Sequence, residues 1–192
     1  MGNGNLIGQN NYRYQLAQRG QLWCVSHQTP GTGVTGQTAF DATTPTFLIR
    51  SAGTKRKLLD RLVLGLRGTA PGDDVDIVIA VDPVDRLSAA TGTLVTPYVP
   101  HTKRKISDDT ADFTFRYNPT AIAAGTDDNL PRFIHHETIG VVTLAGVMRS
   151  VEIDLRGKCA IEGTGSILVY TWSGTTGPTW GFTFDIIEEP LR

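Results

Sequence analysis

Cysteine is scarce in this chain of 192 residues: Cys24 and Cys159 stand far apart, and neither belongs to a Cys-x-x-Cys or Cys/His pattern. A structural zinc site therefore has no ligand set in the sequence. Each cysteine lies inside or beside an apolar run, so two buried free thiols are expected, with a Cys24–Cys159 disulfide left open. Charge of one sign is lacking too, because 18 Lys and Arg face 19 Asp and Glu for a formal net charge of −1. The electrostatic footprint of a nucleic-acid binder is missing, and the runs Lys55-Arg56-Lys57 and Lys103-Arg104-Lys105 read as solvated turns. No stretch approaches the roughly 18 consecutive apolar residues of a membrane span, and residues 1–20 hold no apolar core of a secretory signal. A soluble product made in the cytoplasm is expected, with neither nucleic acid nor membrane as partner. Long amphipathic helices, strand–helix–strand alternation and fixed-period repeats are absent as well, which disfavours α/β folds, propellers and solenoids.

What the chain does contain is short alternating runs. In Ser150 to Arg156 (SVEIDLR) apolar and charged residues alternate, as a half-buried strand requires, and Gly157 is expected to end it. Ser166 to Trp172 (SILVYTW) is apolar or aromatic on both parities, as in a strand covered on both faces. Trp180 to Ile186 (WGFTFDI) places a bulky ring at every second position. Leu22 to His27, Thr46 to Arg50, Asp112 to Tyr117, Arg132 to Glu137 and Ile139 to Leu144 read as further strands, and Thr93 to Val99 as an edge strand broken by Pro97. Lys57 to Arg67 fits both periods, and Gly65 with β-branched Val63 decides for a strand. The turn at Gly68 to Asp74 then predicts an antiparallel pair with Val75 to Asp82. About ten strands separated by Gly, Pro and Asp turns give an all-β fold. The expected form is an antiparallel β-sandwich, jelly-roll-like, as a single domain over residues 21–192.

Residues 1–20 are expected to form an extended N-terminal arm, since the Gly and Asn of Met1 to Asn11 favour turns. Leu6, Ile7, Tyr12 and Tyr14 are its candidate anchors on a partner or subunit surface. The Gln28 to Thr38 loop is expected to be exposed and offers Thr29, Pro30 and Thr32 as further contact residues. Gly31 and Gly33 lack a following Lys-Ser/Thr, so the loop is no phosphate cradle.

Tests for chemistry return little. Alternation puts His135 and Glu137 on one face and His136 on the other, so adjacent histidines do not converge as metal ligands. There is no Gly-x-Ser-x-Gly elbow and no His motif beside either cysteine. Asp73/Asp74, Asp108/Asp109 and Asp127/Asp128 sit in turns, where carboxylates cap their own backbone. Trp23, Trp172 and Trp180 belong to apolar strands or border them and are expected in the core. The expectation is a non-enzyme without catalytic residues, metal or cofactor.

The Gln28 to Thr38 loop, the segment Phe40 to Thr46 (FDATTPT) and the ending Gly177 to Glu189 resemble small virion structural proteins of tailed bacteriophages, in particular jelly-roll head decoration (cement) proteins. That resemblance implies a homotrimer seated on the major capsid protein lattice and stiffening the shell of the virion, assembled in the host cytoplasm without a cofactor. The alternative is a carbohydrate- or receptor-binding β-sandwich module of a phage tail fibre, with an exposed tryptophan as its platform.

Overall fold

The structure is a computed structural model and describes residues 12–85, 91–96, 99–100, 111–120, 132–140 and 149–191. Among the described residues twelve strands form two antiparallel sheets packed face to face. They are β1 (Leu22–Ser26), β2 (Val34–Thr35), β3 (Phe47–Ala52), β4 (Lys55–Arg67), β5 (Val75–Asp82), β6 (Thr93–Leu94), β7 (Val99–Pro100), β8 (Phe113–Tyr117), β9 (Arg132–Ile139), β10 (Ser150–Ile161), β11 (Thr164–Ser173) and β12 (Thr179–Pro190). Sheet A has the order β10-β4-β12-β1-β7, with β2 pairing β12; sheet B has the order β6-β8-β3-β11-β5-β9. The expected all-β sandwich is what the chain forms.

The period of two explains where each side chain goes. On β12 the even residues Trp180, Phe182, Phe184 and Ile186 face sheet B, and on β4 Leu59, Leu62, Leu64 and Leu66 do the same. Between Leu59 and Leu62 one residue is extra: the pairing slips between Asp185 and Ile186, so both Leu59 and Leu62 stay inward. From sheet B, Phe47, Ile49, Phe113, Phe115, Ile167 and Val169 meet them. Four rings lock this core, with Phe47 centred 4.9 Å from Phe182 and 5.1 Å from Phe184, and Phe115 4.9 Å from Phe184. The outward residues of β11 are buried too, in a second cluster with Leu48, Val78 and Ala80, so β11 is covered on both faces as expected.

Four expectations are corrected. β4 and β5 are not a hairpin pair, because β4 pairs β10 and β12 in sheet A while β5 pairs β11 and β9 in sheet B. Both strands carry full rows of inward leucine, isoleucine or valine, and burying both rows requires facing sheets. Gly157 does not end its strand: with Arg156 at φ 46° and Gly157 at φ 77° the chain bulges, and pairing with β4 resumes at Cys159. The 93–99 segment is split across the sandwich, β6 pairing β8 at one edge of sheet B and β7 pairing β1 at one edge of sheet A. Finally, the arm is not extended throughout, because residues 12–18 form a short helix, α1. Its Leu16 and Ala17 pack on Leu22, Leu58 and Ile187 of the outer face of sheet A. Residues 1–11, with Leu6 and Ile7, and most of the strand expected over 139–144 lie outside the described residues.

Replacing Phe47, which is fully buried and touches three other rings, should be costly. Phe47→Ala is expected to lower stability by about 3–5 kcal/mol, and Thr35→Ala, at an exposed strand residue, by about 0.5 kcal/mol or less. Guanidinium unfolding midpoints of the two variants check the contrast.

Candidate contact surfaces

Two exposed aromatic residues, Phe40 and Phe133, meet on the outer face of sheet B. Gly36 donates its N–H to the Pro178 carbonyl (2.7 Å), and Gln37 donates to the Thr171 carbonyl (2.8 Å) while its own carbonyl accepts from Ser173 (3.1 Å). These bonds tie the loop after β2 to the end of β11. The following residues bend over the outer face of sheet B, where the Tyr170 hydroxyl donates to the Ala42 carbonyl (3.0 Å). Phe40 is thereby set among Tyr170, Trp172 and Phe133, with ring centres 5.1, 5.4 and 5.9 Å away. Phe40 is 44% and Phe133 58% exposed, whereas Trp23 and Trp180 lie in the core as expected and Trp172 is half-buried on the outer face. Rings that remain this accessible on a folded surface are the usual anchors of a partner contact.

His136 closes the patch. Its ring lies nearly parallel to Trp172 (25°, centres 6.2 Å apart) and its Nε2 is 2.9 Å from the Asp76 carboxylate, which also accepts from the Thr138 hydroxyl (2.7 Å). His135 faces the other way and sits 3.4 Å from Glu137. The two histidines therefore point to opposite faces, as alternation requires, and each has a carboxylate neighbour of its own. Among the described residues no three His, Cys, Asp or Glu side chains gather into a set that could hold a metal ion.

The candidate contact residues fall into two groups that the fold keeps apart. Thr29, Pro30 and Thr32 are exposed beyond the Ser26 end of β1, near the patch end of the sandwich. Tyr12 and Tyr14, 51% and 64% exposed, lie on α1 beyond the opposite end of β1. There the Tyr12 hydroxyl donates to Glu189 (3.1 Å), and Arg13 pairs with Asp60 (2.9 Å) and Asp154 (3.8 Å). Beside α1 runs a groove of about 370 Å³ with Leu58 and Ile187 at its apolar wall and Asp60, Asp154 and Arg156 among its polar residues. Phe40 and Phe133 were missed from sequence, because Phe40 sits in a Thr-rich turn and Phe133 in a strand with weak alternation; the signal was the aromatic in FDATTPT.

Burial raises the Asp60 carboxyl above its ordinary value, with Asp154 and Asp185 adding repulsion and Arg13 opposing. Burial likewise pushes the Cys159 thiol up to about 12 and raises half-buried Cys24, whose neighbour Asp185 adds to the effect. Both cysteines are free thiols, but only Cys159 is fully buried.

A second buried polar group closes the α1 end of the interior. Lys57 is fully buried, and its ammonium donates to the Lys55 carbonyl (2.9 Å) and to Asp112. Glu188, its cross-strand neighbour on β12, accepts the Asp112 backbone N–H (2.7 Å) and pairs with Lys55 (3.1 Å). Burial acts to raise the Asp112 carboxyl, yet hydrogen bonds from Lys57 and Thr54 together with the Lys57 charge bring it below its ordinary value. Compared with known proteins, the chain matches no family model and no curated protein.

Two measurements probe this chemistry. Because the folded Asp60 carboxyl holds its proton more tightly than the unfolded one, its contribution falls as pH rises from the unfolded value through the folded one. Asp60→Asn removes that loss, so the variant's melting temperature relative to wild type should be higher at about pH 7 than at about pH 3; a gap moving the other way refutes it. A disulfide-exchange reagent at neutral pH should titrate Cys24 slowly in the native protein and reach Cys159 only after unfolding, since the thiolate is the reactive form.

Proposed function

We propose that the chain is a structural protein of a tailed-phage virion, a capsid decoration protein that binds the major capsid protein lattice as a homotrimer and stiffens it. The observation that carries this reading is the cluster of accessible rings Phe40, Phe133 and Trp172 beside the exposed Thr29 to Thr32 loop at one end of a rigid sandwich. Such a surface works by contact area rather than by bond chemistry. Chain connections that alternate between the sheets, as in β3 to β4 to β5 and β10 to β11 to β12, support the jelly-roll form of the sandwich. Within this reading the patch and loop face the capsid, and residues 1–11 with α1 reach a neighbouring subunit.

Trp172 supports a second reading, the carbohydrate- or receptor-binding module of a tail fibre, because it is the one tryptophan on the outer face of a sheet. A sugar platform needs a ring lying flat and open. Here His136 is stacked alongside Trp172 and Phe40 stands at 64° to it, while Phe40 and Phe133 meet at 69°. Rings set on edge in this way receive side chains of a protein partner better than a pyranose face.

Combining Phe40→Ser with Phe133→Ser is expected to weaken co-sedimentation with capsids assembled without the protein by about tenfold or more, with an unchanged melting temperature. Deleting residues 1–11 should reduce occupancy but not folding. A glycan array on which wild type binds and Trp172→Ala does not would favour the tail-fibre module instead.

A further inference from the structure

The buried lysine at the α1 end is placed for more than an ion pair. We propose that Lys57 and Asp112 join in an intramolecular amide bond, a self-formed cross-link between the two sheets. Lys57 stands on β4 of sheet A, and Asp112 immediately precedes β8 of sheet B, so the bond would span the sandwich. The Lys57 side chain has no exposure at all and that of Asp112 only 13%, and the two polar heads are in direct contact.

Three features favour condensation. First, the fold has already met the entropic cost of bringing an amine and a carboxyl together across 55 residues of chain. Second, the Lys57 side chain is wholly buried, so bulk water is kept from the amine and from the bond it would form. Third, Glu188 stands opposite Lys57 on β12, its side chain only 1% exposed and its carboxylate held by the Asp112 backbone N–H on one oxygen and by Lys55 on the other. Lys55 is 41% exposed and remains a charged partner of Glu188. Lys57 differs by being sealed from water.

The step balances without oxidant or external reagent. A proton passes from Lys57 to Asp112 across their hydrogen bond, leaving a neutral amine and a carboxylic acid. The nitrogen lone pair attacks Cγ of Asp112 and a carbon–nitrogen bond forms. Glu188 takes a proton from that nitrogen and returns it to the departing oxygen. The carbon–oxygen bond breaks, one water leaves, and Lys57 and Asp112 remain linked as a neutral amide.

The test is the mass of the purified full-length chain under denaturing conditions. Wild type is expected to be lighter than its sequence by one water, and trypsin should release a branched species joining residues 57–61 to residues 106–116. Lys57→Arg and Asp112→Ala should each return the chain to its full sequence mass. Glu188→Gln should also restore full mass while still unfolding cooperatively, which separates a role in bond formation from a role in folding. Wild type at full sequence mass, with normal cleavage after Lys57, would overturn the proposal, as would a missing water that persists in Lys57→Arg. The outcome is independent of the virion reading, since the bond concerns the sandwich and not its partner.

Discussion

Everything in this molecule depends on two rows of inward side chains meeting between the sheets. Phe182 and Phe184 on β12 reach Phe47 and Phe115 on β3 and β8, and the leucines of β4 fill the space beside them. The contact explains the topology as well as the stability. A strand with one apolar face can pair with any neighbour through its backbone, but two strands with apolar faces gain most when those faces oppose each other. Hence β4 and β5, joined by a short turn, part company into different sheets. The same contact makes the frame stiff enough to hold loops in fixed positions at both ends.

At the ends the apolar rows give way to polar groups, and the two ends are resolved differently. Near β2 the loop backbone is bonded directly to β11 and to Pro178 just before β12, and a buried trio completes the closure: the Trp180 indole donates to Thr171 (3.0 Å), whose hydroxyl pairs with that of Thr46 (2.9 Å). No charge is needed there. At the α1 end the inward positions of β4 and β12 are Lys57 and Glu188, and Asp112 and Lys55 complete the set. A closed set of opposite charges costs far less than a single buried ion, but it seldom stabilises more than apolar packing of the same volume. That a sandwich with ample leucine uses lysine here is a reason to ask what the lysine does.

The sequence was legible wherever one strand's own pattern decided its structure. Val75 to Asp82, Ser166 to Trp172 and Trp180 to Ile186 announce their faces by alternation or by its absence, and the observed burial follows them. Pairing was less legible, because it depends on which apolar row another strand offers. The bulge at Arg156 and Gly157 hid behind glycine's double meaning, since a left-handed residue serves a strand's end and a strand's interruption equally well. Tyr12 to Gln18 is too short to announce a helix by its period, although Gly20 at φ 68° caps its end, with Gln21 donating to the Leu16 carbonyl (2.9 Å), and Leu16 and Arg13 hold α1 on the face beneath. Lys57 was read as part of a solvated basic run, although it shares the inward parity of Leu59; only the register with Glu188 shows that the side chain turns inside.

One feature of the topology bears on how the chain is made. β12 lies between β4 and β1 in sheet A, and β11 lies between β3 and β5 in sheet B, so both central strands come from residues 164–190. Until residues 164–190 join, the earlier strands hold unsatisfied edges and exposed leucine rows, and neither sheet can close. The sandwich therefore becomes a cooperative unit only when that one segment takes its place in both sheets.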